Sequence, residues 1–159
     1  MLKEVNSGRV NIIGELSGLE KVIIGSGVQV IPPILLNNSC PKAVEFEERP
    51  KDSKLFIGGD WISLDNISSL TYPDCKLSFG EMPLLASRYN NVDEVQVLGE
   101  IEELGARAFE GCPLVGTVRL ADGMPEIPDN AFADCSKLTY ITIPNAVTRI
   151  GERAFSQCI

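Results

Sequence analysis

The chain of 159 residues has no histidine. The usual base for a serine or cysteine nucleophile is therefore missing. Basic residues are scarce: 14 Lys and Arg stand against 22 Asp and Glu, a formal net charge of −8. Nucleic acid and anionic membrane both demand a basic patch, so no nucleic-acid partner is expected. Long apolar runs are also lacking. The longest, residues 30–36, is broken by Pro32 and Pro33 and falls far short of the ~20 residues that span a bilayer, so no membrane insertion is expected. The opening Met1–Asn6 lacks the apolar stretch of a signal peptide, which leaves two readings open, a cytoplasmic protein or one whose leader has been removed. No phosphate loop or dinucleotide fingerprint occurs, Ile57-Gly58-Gly59-Asp60 reading as punctuation, and no cofactor is expected.

What the chain does have is repetition. Leu104-Gly105-Ala106-Arg107-Ala108-Phe109-Glu110-Gly111-Cys112 returns as 127–135 and again as 150–158. Phe109, Phe132 and Phe155 are spaced by 23 residues, as are Cys112, Cys135 and Cys158. A fixed period in this range is the mark of a solenoid. Between the copies lies a second phrase, Leu138-x-x-Ile141-x-Ile143-Pro144. Stepping it backwards finds Val115-x-x-Val118-x-Leu120, Val92-x-x-Val95-x-Val97, Ile67-x-x-Leu70-x-Tyr72, the degenerate Ala43-x-x-Phe46-x-Glu48, and Leu19-x-x-Val22-x-Ile24.

These phrases predict an α/β repeat solenoid. A parallel β-sheet of about six short strands is expected, with short helical or 3₁₀ turns on the opposite side. Within a strand, side chains alternate, so Ile141 and Ile143 face the core while Tyr140 and Thr142 face out. Gly105 and Gly151 are expected to relax the turn into the Ala-Phe segment. No repeat can bury its Phe alone, so the Phe109, Phe132, Phe155 column should form by stacking. Residues 1–18 are expected to be an N-terminal cap, a small hairpin or irregular, with the solenoid over 19–159: degenerate repeats over 19–91, regular ones over 92–159. The polar stretch 47–55 reads as a solvated link.

Five cysteines are present. Cys112, Cys135 and Cys158 share one phase, which Cys40 also fits. Equivalent side chains in stacked coils point the same way, which is poor disulfide geometry, so a ladder of small buried thiols is expected. With no histidine and no Cys-x-x-Cys pair, no metal is expected.

The phrase at 150–158, preceded by Leu138-x-x-Ile141-x-Ile143-Pro144-x-x-Val147, resembles the BspA-type leucine-rich repeat. Leu, Ile, Ile, Pro, Val, Ile-Gly, Ala-Phe and Cys fall in register at period 23. The resemblance is clear over 92–159 and degraded over 19–91, where Ala43 and Glu48 replace apolar residues and Pro83 replaces the alanine. It implies a curved parallel-sheet solenoid and a secreted or cell-surface role in adhesion and protein binding. That setting and the cytoplasmic one stand open side by side.

The outward strand positions are Lys21 and Ile23, Glu45 and Glu47, Ser69 and Thr71, Glu94 and Gln96, Thr117 and Arg119, Tyr140 and Thr142. Such residues also suit any soluble strand, threonine especially. As a binding face the expected set is Glu45, Glu47, Glu94, Gln96, Thr117, Arg119, Tyr140 and Thr142. Tyr140 and Arg119 are the types enriched in interface hot spots. Glu45 with Glu47 and Glu102 with Glu103 are paired carboxylates, but acid–base work needs a cleft and one raised pKa. No catalytic residue and no enzyme are expected. Glu45, Glu47 and Glu94 are the right donors for calcium but lie on non-adjacent strands. The expected function is a binding module taking a protein, or a glycan, on the sheet face. The alternative is an assembly unit forming homo-oligomers through its C-terminal repeat edge.

Overall fold

The structure, a computed structural model, describes the backbone of residues 3–5 and residues 20–32, 41–59, 67–81 and 92–159. The expectations for Leu19, Cys40 and Pro83 lie outside the described residues, as does most of the segment 1–18.

Every strand pairing is parallel, and each coil of the chain crosses two ladders rather than one. The first ladder holds β1 (Lys3–Val5), β2 (Lys21–Ile24) and β4 (Ala43–Phe46), then, past a break, β6 (Ser69–Tyr72), β8 (Glu94–Val97) and β10 (Leu114–Val115). The second holds β3 (Val30–Ile31), β5 (Lys54–Ile57), β7 (Lys76–Phe79), β9 (Glu100–Leu104), β11 (Thr117–Leu120) and β13 (Tyr140–Ile141). A last short pair joins β12 (Glu126–Ile127) to β14 (Arg149–Ile150). The molecule is a parallel β-solenoid.

All six expected windows contain a strand, and their alternation is the reason. β6 and β8 each read exposed, buried, exposed, buried, with Leu70, Tyr72, Val95 and Val97 inside. Three details differ from the sequence reading. First, Val22 stands opposite Val44 and Ile24 opposite Phe46, so the inward pair of β4 is Val44 and Phe46, not Phe46 and Glu48. Glu48 is exposed. A shift of two keeps Glu45 and Glu47 outward and spares the cost of burying a carboxylate. Second, Val95 faces Leu114 and Leu120 faces Ile101, an offset of 19. The expected 23-residue offset appears from Val118 to Ile141 and again from Ile127 to Ile150. Gly116, at φ 79°, marks the corner between β10 and β11. Third, the stretch 47–55 is not a loose link. It ends in β5, and Arg49 within it is only 6% exposed.

The turns are not helical, and among the described residues there is no helix. Arg107, Asn130 and Arg153 all have φ between 54° and 62°, and Gly111, Asp134 and Gln157 are also positive. Both sets recur every 23 residues. A left-handed residue every fourth position stops a helix from propagating. It also turns alternate amides outward, so that Arg107, Phe109 and Gly111 donate to the Asp129, Ala131 and Ala133 carbonyls of the next coil. Asn130, Phe132 and Asp134 repeat this onto Glu152, Ala154 and Ser156. Gly105 and Gly151 have another role than the one expected. A Cβ at Gly105 would overlap the Glu81 nitrogen, and one at Gly151 the Asp129 nitrogen. These glycines let adjacent coils touch.

The expected Phe column is present and longer. Phe109 and Phe132 stack at 5.6 Å, Phe132 and Phe155 at 5.4 Å, with interplanar angles of 7° and 2°. Phe79 meets Phe109 edge-on at 4.6 Å, and Tyr72 and Phe46 continue the line. The thiol ladder is also present over Cys112, Cys135 and Cys158, which are free, as is Cys75, which lies outside that phase. Cys135 donates to the Phe109 carbonyl and Cys158 to that of Phe132, each at 3.0 Å. Burial pushes the Cys135 thiol up to about 12 and lifts Cys112 well above its ordinary value.

Phe132→Ala, between two stacked rings, should cost about 3–5 kcal/mol in urea unfolding. Phe155→Ala should cost less, because that ring is only partly buried. A loss below about 1 kcal/mol for Phe132→Ala rejects the column. The buried thiols give an alkaline signature. The unfolded chain releases these protons near pH 8.5, whereas the folded one keeps them to about 12 for Cys135. Stability should thus fall as pH rises above about 8.5, by up to about 1.4 kcal/mol per unit per thiol. The urea midpoint measured from pH 7 to 10 should show this, and Cys112→Ala/Cys135→Ala should flatten it. A wild-type midpoint that does not move contradicts the burial.

Candidate functional site: a seam in the first ladder

Among the described strands of the first ladder, one junction is not zipped. β4 and β6 run close, with Cα atoms within 8 Å, but no ladder joins them. Alternate residues of a parallel strand direct their amides to opposite sides. In β4 the Ala43 amide reaches back to Glu20, and just beyond the strand the Glu47 amide reaches Ile24. In β6 the neighbouring Ser68 and Tyr72 carbonyls are taken by Asp93 and Leu98. Val44 on one side, and Ser69 and Thr71 on the other, therefore face each other across the seam with no ladder between them.

Above the seam lies a groove of about 720 Å³ whose lining includes Glu45, Glu47, Glu48, Thr71, Lys51 and Asp74. Its charges are partly matched. Glu45 pairs with Lys21 at 2.6 Å, and Glu47 accepts the Ser26 amide at 2.9 Å. Asp74 pairs with Lys51 and with Arg119, each at 2.9 Å. The bond from Lys51, and less strongly that from Arg119, holds the Asp74 carboxyl below its usual value, with burial opposing. Glu48 is exposed, with no ion pair or hydrogen bond from a described residue.

Arg49 anchors the wall behind. Its guanidinium donates to the Val28 carbonyl at 2.9 Å and the Gly25 carbonyl at 3.0 Å. Its Nε finds no partner. A buried guanidinium held by carbonyls ties the exit of β4 to the turn of the coil before it. The same positive charge opposes the rise of the Cys75 pKa, which burial dominates.

The expected face divides. Glu94 stands opposite Ser69 and Gln96 opposite Thr71, so both continue the ladder that carries Glu45 and Glu47. Thr117, Arg119 and Tyr140 belong to the other ladder. Thr117 pairs with Tyr140, and Arg119 stands opposite Glu100. The offset of 19 moved them there. Arg119 is committed to Asp74 and to the Leu98 carbonyl. Tyr140 is 62% exposed, and Thr142, beyond the strand, donates to its hydroxyl at 3.4 Å. No group of three or more metal-ligating side chains comes together among the described residues. β6 separates Glu45 from Glu94.

Sequence reasoning missed Lys51, Asp74 and the seam. The signal available was the uneven step, since β4 starts at 43 and β6 at 69, whereas β2 and β4 start at 21 and 43.

Two-ladder coils, stacked rings and recurrent positive-φ turns define a parallel β-solenoid repeat protein. The chain matches the family model of the BspA type leucine-rich repeat region, in 6 copies over residues 65–159, more than half its length. It belongs to that family, whose repeats are generally protein-interaction modules and typically not enzymes. No curated protein and no solved structure matches it. No helix among the described residues is long and apolar enough to cross a membrane.

Proposed function

We propose that this protein is a non-enzymatic binding module that engages a protein partner through the outer face of its first ladder, centred on the groove over β4 and β6. The unzipped seam carries this reading, because it sets strand backbone outside any ladder beside exposed charge. Glu45, Glu47 and Glu48 border it, and Glu94 and Gln96 extend the same face. With a net charge of −8, the chain draws basic partners in by long-range steering. Adhesion at a cell surface is the setting that the family suggests for such binding. Arg119 contributes at the rim through Asp74, while Thr117, Tyr140 and Thr142 form a separate exposed patch.

Selection of 12-residue peptides from a display library on the wild-type protein should enrich Lys- and Arg-bearing sequences. Their affinity should drop at least tenfold on Glu45→Lys/Glu47→Lys and hold on Tyr140→Ala. Equal binding to the charge-reversed variant, or no enrichment, removes the support for this face.

A further inference from the structure

We infer that the seam between β4 and β6 accepts an extended polypeptide strand of alternating small apolar and basic residues, docked in parallel by its backbone. The inference rests on the sheet-face reading above and names the occupant of that face.

The backbone argues for a strand. The described neighbours β1, β2 and β4, and then β6, β8 and β10, are joined by ladders. Among the described strands of this ladder, only at the seam does no ladder take up the facing backbone of Val44, Ser69 and Thr71, and Val44 is buried at 7% exposure. A buried amide without a partner costs free energy that a strand's own N–H and C=O groups recover. Strands in a ladder lie about 4.8 Å apart, so an inserted strand needs about 9.6 Å between β4 and β6. Their Cα atoms now approach within 8 Å, so the seam opens by at least about 1.6 Å on docking. No salt bridge among the described residues links β4 to β6 themselves, Glu45 pairing back to Lys21 on β2, and the Lys51–Asp74 pair ties only the stretch after β4 to the turn after β6. The contact that must part is the tilted ring pair of Phe46 and Tyr72, with centroids 5.7 Å apart.

The side chains choose the sequence. In a parallel strand placed here, every second residue points outward, between Glu45 and Glu47 on one side and Ser69 and Thr71 on the other. Lys or Arg at those places meets the carboxylates of Glu45 and Glu47, with Glu48 exposed nearby. The intervening residues point inward beside Val44, Leu70 and Tyr72, the last two 2% and 0% exposed. Only small apolar side chains fit so filled an interior. An acidic strand is repelled by the same wall.

The test uses the full chain and a fluorescein-labelled, end-blocked hexapeptide of sequence Val-Lys-Val-Lys-Val-Lys, read by anisotropy. Saturable binding is expected, at least tenfold weaker for a version N-methylated at each valine, which keeps the charge and removes the N–H donors on one side of the strand. The all-Glu counterpart should not bind. At saturation, hydrogen exchange at the Ser69 and Thr71 amides should slow by at least tenfold. Equal binding of the N-methylated peptide, with no gain in protection, overturns strand docking but leaves the sheet-face reading standing, since charge alone then holds the peptide. Absence of saturable binding by the basic peptide also overturns the inference. The sheet-face reading falls only if the library selection fails as well.

Discussion

The molecule depends on backbone amides that reach the next coil instead of their own. A helix closes its hydrogen bonds within one segment. Here the positive φ at Arg107, Asn130 and Arg153 prevents that and sends alternate N–H groups across to the neighbouring turn. No coil is therefore satisfied alone, and stability comes from stacking. The other features follow from this contact. Coils that touch through backbone leave no room for a Cβ at Gly105 or Gly151. Coils repeating in register put Phe109, Phe132 and Phe155 face to face and turn each thiol toward the carbonyl of the coil before. Disulfides are not required, because the repeated contact already does their work.

The candidate site is where this continuity fails. Along β6, β8 and β10 the backbone is consumed by pairing and the outer face is ordinary solvated strand. Between β4 and β6 the pairing stops, although Arg49 pins the exit of β4 firmly to the preceding turn. Polar backbone, carboxylates and a 720 Å³ groove then coincide. A repeat protein gains a distinct binding position only by breaking its own repetition. In this chain the break lies in the degenerate half rather than the regular one.

Much of this was legible in the residues. The 23-residue recurrence of Ala-Phe and Cys announced the stacked rings and buried thiols, since only stacking buries them. The outward placement of Glu45 and Glu47 was legible too, because period-two alternation survives a register slip of two. The same robustness hid the slip, so Glu48 was placed inside. The second ladder was not seen, because Lys54-Leu55-Phe56-Ile57 alternates as a strand but follows a polar run that reads as loop. Nor was the helix expected for the Ala-Phe segment ruled out. Arginine and glutamine at positive φ carry no sign of it in their chemistry.

The sequence by itself determined the class of protein, because a period and its apolar pattern are local properties that repeat along the chain. Which outward residues share a face was decided by the tertiary structure alone. A single repeat shortened to an offset of 19 carries Thr117, Arg119 and Tyr140 onto the second ladder, and an unclosed junction opens beside Glu45 and Glu47. Both depend on how neighbouring coils pair. That is settled by backbone hydrogen bonds between residues about twenty positions apart, which no local pattern encodes.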